Sequence, residues 1–464
     1  MLVIISDLHL TDHTTGTSIG EDAFEVFIQK IQDVAEKASW RTDDLYKPIK
    51  HLDIVLLGDV FDLIRSTKWN ESDLRKDIGN YKVRPWQNLD TAKGFDVLNK
   101  ITTDIINRNK EGLDQLKQLT DANTKSGKIT IPKQVLNGEP NGQSIVNVAI
   151  YYMVGNHDWF YYLTDKKDKK YDELRQKVVD AIGLSNPYDK RFPHEPTDLQ
   201  ALNSLLIQHK TYACHGDKFD KYNFRKYRSQ SSLGDAIVIE LLNMYPQNLK
   251  KLGLSKMLTN ELKEIDNVRP LAFIPLWIYS LIDNAIFNKT KRKKAKSEWK
   301  KLIKKFFNLN FVQSLDEDYK LDLTEYLKAS LDAAKFENIA MSKWFQELAK
   351  KTINYADNFD EIVDEESEKH PYAHYFVYGH THYHKVVPLK AEIKGKKFID
   401  KFYFNSGTWK PIHQLPTINN KSNSSIDISG SRFVKFKVMS FIVIFKDDER
   451  KGKKFETWSG TLDY

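Results

Sequence analysis

The sequence predicts an α/β fold, and two patterns carry this prediction. Five short runs are rich in β-branched and aromatic residues and hold few charges, as is typical of strands buried on both faces of a sheet. These runs are residues 2–6, 54–57, 151–154, 211–214 and 375–378. Apolar residues recur at helical spacing in residues 21–40, so this segment is predicted to be the crossover helix of a βαβ unit.

Each of the five runs is followed by side chains of the types that bind metal ions. These side chains are Asp7 and His9, Asp59 and Asp62, Asn156 and His157, His215, and His380 and His382. Ligands of open α/β sheets bind outside the carboxyl ends of the strands. We therefore expect the five groups to meet in one pocket, although they are far apart along the chain.

The chain between the second and third runs holds an insertion at about residues 64–145. A helical stretch is predicted near residues 89–122. The polar tract 123–143 contains several Gly and Pro residues, which predicts a surface loop or a small hairpin. A strand at residues 145–154 is expected to follow it.

A second insertion, residues 218–349, has apolar residues at helical spacing almost throughout and predicts a helical cap. The predicted helices are residues 232–245, 249–265, 270–287, 296–307, 323–336 and 340–356. Strand patterns return in residues 397–404, 433–445 and 454–458, which are expected to complete a second sheet packed on the first. The chain thus divides into a core of residues 1–217 and 350–464 and an inserted cap.

The residue types point to metal-dependent hydrolysis. Residues i and i+2 of an extended chain share a face, so Asp7 and His9 can hold one ion together. Carboxylates and imidazoles suit Zn, Mn, Fe and related ions, and the single cysteine argues against a structural thiolate site. Asp59 is expected to bridge two ions. Such ions, roughly 3.5–4 Å apart, clamp a phosphoryl group and lower the pKa of bound water towards about 7.

The motifs D-x-H, G-D-x-x-D, G-N-H-D, a single H and G-H-x-H follow one another in this order. This pattern resembles that of the calcineurin-like metallophosphoesterases. The resemblance implies a four-layer α/β/β/α sandwich that carries the helical segment as an inserted cap. It also implies two divalent ions as cofactors, with Mn²⁺ expected first and Fe, Zn, Ni, Co or Mg as alternatives. The implied ligands are Asp7, His9, Asp59 and His382 for the first ion, and Asp59, Asn156, His215 and His380 for the second.

The resemblance further implies roles for two residues that bind no metal. His157 would stabilise or protonate the leaving oxygen, and Asp62 would orient His157. A carboxylate bonded to one ring nitrogen fixes the tautomer and raises the basicity of the other nitrogen, which suits this role. His157 and Asp62 are therefore the expected catalytic residues.

Two more segments resemble the branch that contains the UDP-2,3-diacylglucosamine pyrophosphohydrolases. One segment, His215 to Asp220, reads H-G-D-K-F-D, and the other, residues 403–409, reads Y-F-N-S-G-T-W. The chain departs from that branch in its size, so its lipid substrate is not carried over. We expect Asp217 and Asp220 either to cap the following helix or to hold water beside the metal ligands.

The resemblance thus implies an enzyme that hydrolyses a phosphomonoester, a phosphodiester or a pyrophosphate with metal-activated hydroxide, while the cap selects the substrate. Three alternatives lie within this class: a nucleotide or cyclic-nucleotide phosphodiesterase, a nuclease, and a lipid-linked pyrophosphohydrolase at a membrane surface. A different class of protein stays open as well. It is a metal-bearing adaptor whose helical region binds protein partners.

Composition favours a cytoplasmic enzyme. The 41% of hydrophobic residues can build a large core. The single cysteine excludes a disulfide framework and suits a reducing compartment. We expect no signal peptide, because the apolar run at residues 2–5 is too short and has no basic leader.

The net charge of +8 is modest for 464 residues, so its distribution matters more than its size. Residues 271–287 are strongly apolar, and a lysine-rich stretch from Lys289 to Lys305 follows them. The apolar run is shorter than the roughly 20 residues that span a membrane. One interpretation is a buried cap helix followed by a solvated lysine-rich loop. The other is an aromatic and basic edge that docks either on an anionic membrane or on a nucleic-acid backbone. In the membrane case the protein would be peripheral to a membrane.

Overall fold

The computed structural model describes residues 1–71, 83–121, 127–164, 169–269, 271–315, 359–389, 401–414 and 433–461. The helices predicted at residues 323–336 and 340–356 lie outside the described residues, as does the start of the strand predicted at 397–404. Within the described residues the chain is a mixed α/β protein.

All five runs that predicted buried strands are strands in the structure, and this part of the prediction is confirmed. The strands are β1 (Leu2–Ile5), β2 (His51–Leu57), β3 (Thr130–Leu136), β4 (Glu139–Ile145), β5 (Asn147–Met153), β6 (Thr211–Ala213), β7 (Tyr375–Tyr378), β8 (His384–Leu389), β9 (Lys401–Ser406), β10 (Pro411–Gln414), β11 (Val434–Ile444) and β12 (Phe455–Thr461).

The α-helices lie mostly between the strands. They are α1 (Asp22–Ala38), α2 (Lys68–Glu71), α3 (Pro85–Asn88), α4 (Ala92–Arg108), α5 (Lys110–Thr120), α6 (Lys170–Ile182), α7 (Gln200–Gln208), α8 (Leu233–Ile237), α9 (Met244–Lys251), α10 (Lys256–Glu261), α11 (Ile274–Ala285), α12 (Lys289–Phe307), α13 (Asn310–Gln313) and α14 (Phe359–Lys369). Among the described helices, none combines the length and the apolar character needed to cross a membrane.

The first sheet has the order β10, β11, β1, β2, β5, and β12 pairs with β11. β1, β2 and β5 are parallel, and α1 crosses over between β1 and β2 as predicted. The prediction that residues 433–445 and 454–458 complete the second sheet is wrong, because β11 and β12 join the first. Leu2 to Ile4 pair with Ile442 to Ile444, which satisfies the backbone groups at an edge of β1 that would otherwise be buried and unpaired.

The second sheet has the order β6, β7, β9, β8, in which β6, β7 and β9 are parallel. Three strands were predicted near the end of the given sequence, and β9 is the one among them that belongs to the second sheet. β3 and β4 form a separate two-stranded hairpin, which is one of the two alternatives predicted for the Gly- and Pro-containing tract.

Side chains alternate between the two faces of β1. Val3 and Ile5 belong to a large apolar cluster with Phe24 and Phe27 of α1. Leu2 and Ile4 belong to a second cluster, to which the second sheet contributes Val377 of β7 and Phe404 of β9. The two sheets therefore share a core, and the carboxyl ends of their parallel strands lie near the same place.

Within the described residues, the second insertion is helical and the first holds helices before the β3–β4 hairpin, with different boundaries from those predicted. The stretch predicted at 89–122 is two helices, α4 and α5, which meet at Asn109. A π-helical turn, Val238–Leu242, separates α8 from α9, and a 3-10 segment, Leu262–Asn267, follows α10. α12 begins at Lys289, so the interpretation of the first lysines as a loop is wrong.

Candidate metal centre

The nine side chains that the sequence analysis singles out lie together at the carboxyl ends of both sheets. Eight of them form three overlapping groups whose potential ligand atoms lie within 4.8 Å of one another: Asp7, His9 and His382; His9, Asp62 and His157; Asp59, His215 and His380. The ninth is Asn156, whose Oδ1 is 3.2 Å from Nε2 of His215. The first sheet and the second sheet thus contribute to one site.

The backbone of this site has an unusual conformation. Five candidate ligands have positive φ angles between 47° and 67° and so lie in the left-handed region, namely Asp7, His9, Asp59, His380 and His382. Such angles cost non-glycine residues about 1–3 kcal/mol each, and they persist where the surrounding structure enforces them, often at ligand sites. The turns after β1, β2 and β7 therefore hold their side chains at a cost in stability.

Gly58 allows the turn after β2 to approach β6. Its φ angle is +83°, and a Cβ at this position would lie 2.5 Å from Nδ1 of His215. Because only glycine leaves this space free, His215 can donate a hydrogen bond from Nδ1 to the carbonyl oxygen of Leu57 at 2.9 Å. The motif glycine is thus explained by a close approach between the two sheets.

Asp7, His9 and His382 direct three polar atoms at one another. Asp7 Oδ1 is 3.3 Å from His382 Nε2 and 3.7 Å from His9 Nε2. The two Nε2 atoms are 3.0 Å apart. Asp7 Oδ1 is buried, and no hydrogen bond of good geometry reaches it from the described residues. A carboxylate and two imidazoles that face each other in this way suit a divalent cation.

Asp59 connects this group to the next one. Its Oδ2 lies 3.2 Å from Nε2 of His215 and 3.6 Å from Nε2 of His9. Its Oδ1 accepts a hydrogen bond from the backbone N–H of His157 at 2.8 Å. One carboxylate oxygen therefore faces histidines of both groups.

Hydrogen bonds set the tautomers of three of the histidines. His9 donates from Nδ1 to Asp62 Oδ2 at 3.0 Å, and His215 donates from Nδ1 to a backbone carbonyl, so Nε2 of each ring faces the other candidate ligands. Against the effect of burial, the carboxylates of Asp59 and Asp7 raise the pKa of His215 to about 9, so a cation that bound to its Nε2 would displace a proton. His380 donates from Nε2 to Asp220 Oδ2 at 3.0 Å, which leaves the Nδ1 lone pair. Partners of this kind orient the histidine ligands of metal sites and raise their basicity.

His382 has the opposite arrangement. Arg269 donates a hydrogen bond to its Nδ1 at 2.5 Å, so a neutral ring carries its proton on Nε2. Burial, together with the charge of Arg269, holds the pKa of His382 well below its usual value, which keeps the ring neutral. A cation that bound to Nε2 would displace this proton.

His157 lies at the open side of the site, with 13% of its side chain exposed. Its Nδ1 donates to Asp62 Oδ1 at 2.6 Å, and its Nε2 is 4.0 Å from Asp59 Oδ2. Burial alone would lower the pKa of His157, but the carboxylates of Asp62 and Asp59 raise it to about 9. The ring therefore holds protons on both nitrogens at neutral pH.

The carboxylates of the site remain ionised. Burial would raise their pKa values, but the histidines around Asp7 and Asp59, and His157 with Lys410 around Asp62, lower all three. Asp158 behaves differently, because burial and the charge of Asp59 raise its pKa to about 6. It accepts hydrogen bonds from backbone N–H groups of Val60 and Gly155 and from a tyrosine hydroxyl, so its role is to hold the loops.

Three functional residues were missed by sequence reasoning. Lys410 is buried, lies 3.5 Å from Asp62 Oδ2 and pairs with Asp266 of the second insertion. Arg269 reaches His382 from the same insertion. Lys410 directly follows the N-S-G-T-W segment, which was a usable signal, whereas nothing in the sequence distinguishes Arg269 or Asp266 from other charged residues of the insertion.

The two acidic residues after His215 have separate roles. Asp217 pairs with Arg228 and lies 3.5 Å from Nε2 of His194. Asp220 contacts His380, so it touches a candidate ligand directly, where sequence reasoning offered only a helix cap or a water site. Cys214 is buried in an apolar cluster of the second sheet.

No protein-family model matches this chain, and no curated protein matches it. The chemistry of the donor set is therefore the basis for assigning a ligand. Buried carboxylates, imidazoles that face them and an unpaired Asp7 oxygen fit a metal ion. The buried Asp and His groups of this site could hold such an ion.

Proposed function

We propose that this chain is a phosphohydrolase that uses two divalent metal ions to hydrolyse a phosphomonoester, a phosphodiester or a pyrophosphate. The observation that carries the proposal is the position of Asp59 Oδ2, within 3.6 Å of His9 and 3.2 Å of His215. A single carboxylate oxygen that faces histidine nitrogens of two groups is what a pair of neighbouring ions would require.

The finer architecture that we propose is the four-layer α/β/β/α sandwich with an inserted helical cap. Three apolar clusters support this architecture: the one between the two sheets and one on the outer face of each sheet. The outer face of the first sheet packs with α1, and the outer face of the second, with Phe376 and Tyr378, packs with Val363 of α14. The described part of the cap, residues 218–315, places Asp266 and Arg269 over the candidate ligands.

In this proposal Asp7, His9, Asp59 and His382 would hold one ion, and Asp59, Asn156, His215 and His380 would hold the other. When bound, the ions supply Lewis-acid charge for the phosphoryl oxygens and lower the pKa of a water nucleophile. The chain's own contribution begins with orientation. Asp62, Asp220 and the carbonyl of Leu57 fix the rings of three histidines, so their lone pairs need no rearrangement.

His157 completes the reaction by supplying a proton. Its Nδ1–H is held by Asp62, so Nε2–H is the proton that the ring can give. The leaving oxygen of a phosphate ester gains negative charge as the bond to phosphorus breaks, and a proton donor at that oxygen lowers the barrier. Against the effect of burial, the carboxylate of Asp62 raises the pKa of His157, which favours the protonated ring before the reaction.

Two buried cationic side chains beside the site support the proposal that the substrate is an anion. Lys410 and Arg269 are almost fully buried beside the candidate ligands. Their charges offset the carboxylates of the site and favour a ligand that carries negative charge, because charges interact strongly where water is excluded. A phosphate ester fits this requirement.

The test is the change Asp59→Asn, with Asp33→Asn on the exposed face of α1 as the matched control. A neutral amide cannot offset two divalent charges, so metal content and turnover should both fall. Elemental analysis and hydrolysis of a chromogenic phosphodiester with Mn²⁺ give the two measurements. Two tightly held ions in Asp59→Asn would refute the bridging role, and a metal-loaded wild type that turns over no ester would favour the adaptor.

A further inference from the structure

Helix α12 concentrates the positive charge of this protein. Ten of its 19 residues are Lys or Arg and one is Glu, which gives the helix a net charge of +9, whereas the whole chain carries +8. The remainder of the chain is therefore nearly neutral. A helix with this composition attracts a polyanionic surface at long range.

The helix has one face packed against the protein and one in solvent. Its buried residues are Ala295, Trp299, Leu302, Ile303 and Phe306, which belong to the large apolar cluster. The packed face fixes the direction of the opposite face, where Lys293, Lys294, Lys304 and Lys305 are exposed. Acidic partners are found in the described part of the chain for Arg292, Lys296 and Lys301 only. The four exposed lysines are thus available to an external anion.

The charges at the start of α12 oppose the helix dipole. Its first turn has no acidic residue, and Lys289 and Lys291 lie there, where the partial charge of the helix is positive. Like charges at a helix N-terminus are unfavourable. Sequence features that disfavour the local structure often mark a functional surface. Here an external anion would relieve the repulsion between the lysines and the helix N-terminus.

Phe287, just before this helix, is 89% exposed. Asn288 caps the helix by accepting a hydrogen bond from the backbone N–H of Lys291 at 3.0 Å, which puts Phe287 at the position before the cap. An apolar residue there usually packs on the residue four positions into the helix. That residue is Arg292, whose Nε donates a hydrogen bond to the carbonyl oxygen of Ile286 at 2.9 Å. Arg292 therefore offers Phe287 no apolar side chain to pack on, and Phe287 projects into water.

We propose that α12 and Phe287 form a docking surface for an anionic lipid membrane. Exposed lysines beside an exposed aromatic side chain are typical of helices that lie on a membrane, where the lysines attract anionic headgroups and the ring enters the interface. This surface is separate from the metal centre, so the inference does not depend on the proposed function.

Two features favour lipid over nucleic acid as the partner. Nine of the ten basic residues are lysines, whereas phosphate and base recognition in nucleic acids draws on the bidentate geometry of arginine. Binding of single strands also uses several aromatic rings on which successive bases stack. Trp299 and Phe306 of α12 are buried and Phe307 is half-buried against the apolar cluster, so the described helix does not present a series of fully exposed rings.

The experiment is cosedimentation of the full chain with two kinds of vesicle. One contains phosphatidylcholine alone, and the other contains phosphatidylcholine with roughly 30 mole per cent phosphatidylserine. We expect binding to the anionic vesicles only, and weaker binding at high salt. Changing Lys293, Lys294, Lys304 and Lys305 together to Gln should weaken it several hundred-fold, since each lysine is worth about fivefold. Phe287→Ser should weaken it by about tenfold without changing the salt dependence.

The matched control changes four exposed lysines outside the helix to Gln, namely Lys37, Lys50, Lys133 and Lys190. It removes the same charge and should bind vesicles nearly as well as the wild type. Thermal unfolding establishes that each variant is folded. Equal loss in the two quadruple variants, or no binding by the wild type, would overturn the proposal. So would binding of the wild type to a single-stranded oligonucleotide in preference to anionic vesicles, which would identify nucleic acid as the partner.

Discussion

A single carboxylate, that of Asp62, serves two histidines. Its Oδ2 accepts from His9, a candidate metal ligand, and its Oδ1 accepts from His157, the proposed proton donor. The same group is held by Lys410. Because one side chain orients both rings, the ligand and the proton donor keep a fixed relative position, which proton transfer to a bound ester requires.

The change His157→Ala should lower turnover by about 10²–10⁴-fold, which is the usual contribution of a general acid. Metal content should remain near that of the wild type, because His157 binds no ion in this proposal. Esters with an acidic phenol need little protonation and should lose less activity than alkyl esters. Kinetics on both esters, with the exposed His51→Ala as control, provide the measurement. Equal loss on the two esters would mean that His157 is not the proton donor.

The change Asp220→Asn should weaken binding of one metal ion by about 10–100-fold, the typical effect of removing a group that orients a histidine ligand. Asp220 accepts from His380 at 3.0 Å, and a neutral amide supports the ring less strongly. Calorimetric titration of the metal-free protein with Mn²⁺ measures the affinity. An unchanged affinity in Asp220→Asn would show that this carboxylate has no part in orienting His380.

At the residue scale, the sequence predicted the members of the site but not their partners. Asp7, Asp59 and His215 could be found because each follows an apolar run within a short motif. Arg269 could not be found, and Lys410 had only its place after the N-S-G-T-W segment as a signal, since burial makes both important and burial depends on how distant segments pack. A lysine in water and a lysine beside Asp62 look the same in a sequence.

At the scale of single elements, the end of helix α7 buries a histidine whose protonation would destabilise the fold. Its last turn is followed by His209, which is 3% exposed. Nδ1 of His209 donates to the carbonyl of Leu205 at 3.1 Å, and Nε2 has no hydrogen-bond partner in the described part of the chain. Burial, and the nearby N-terminal ammonium group, lower the pKa of His209 to about 4.

This lowered pKa predicts a pH dependence of stability. Between about pH 6.5 and the folded value, the unfolded chain binds more protons than the folded chain, so acid destabilises the fold. The change His209→Asn keeps a donor near Leu205 and removes the titration. Relative to the wild type, its free energy of unfolding should therefore rise by about 3 kcal/mol from pH 7 to pH 4. Urea unfolding at several pH values measures it, and a constant difference between the two proteins would contradict the assignment.

The strands were easier to predict than the helices of the insertions. Buried parallel strands are nearly continuous apolar runs, and β1, β2 and β5 have this form. The π-helical turn at Val238–Leu242 leaves no comparable mark in the pattern of apolar residues. The sheet to which β11 belongs was also not predictable, because strand pairing depends on an edge of β1 more than 400 residues away in the sequence.

At the scale of the whole molecule, the candidate metal centre connects the two sheets. Asp7, Asp59 and Asn156 follow strands of the first sheet, and His215 and His380 follow strands of the second. An ion held by donors from both sheets would bind the folded chain and not the unfolded one. It would therefore act as a crosslink through the shared core.

Removal of metal should accordingly lower stability. At a free Mn²⁺ concentration 100 times Kd, one bound ion should add about 2.7 kcal/mol to the free energy of unfolding. Scanning calorimetry of the wild type with Mn²⁺ and with EDTA should show a higher Tm with metal. Asp59→Asn should lose most of this difference, whereas Asp33→Asn should keep it. A wild-type Tm that does not respond to EDTA would show that no ion links the sheets.

The pairing of β1 with β11 has a consequence for the order of events during synthesis. Ribosomes add about 5–20 residues per second, so β1 waits roughly 20–90 s for its neighbour. Until β11 emerges, one edge of the central strand is open to any passing strand, including that of a second nascent chain. The pairing of β1 is thus completed only by a strand that is made more than 400 residues later.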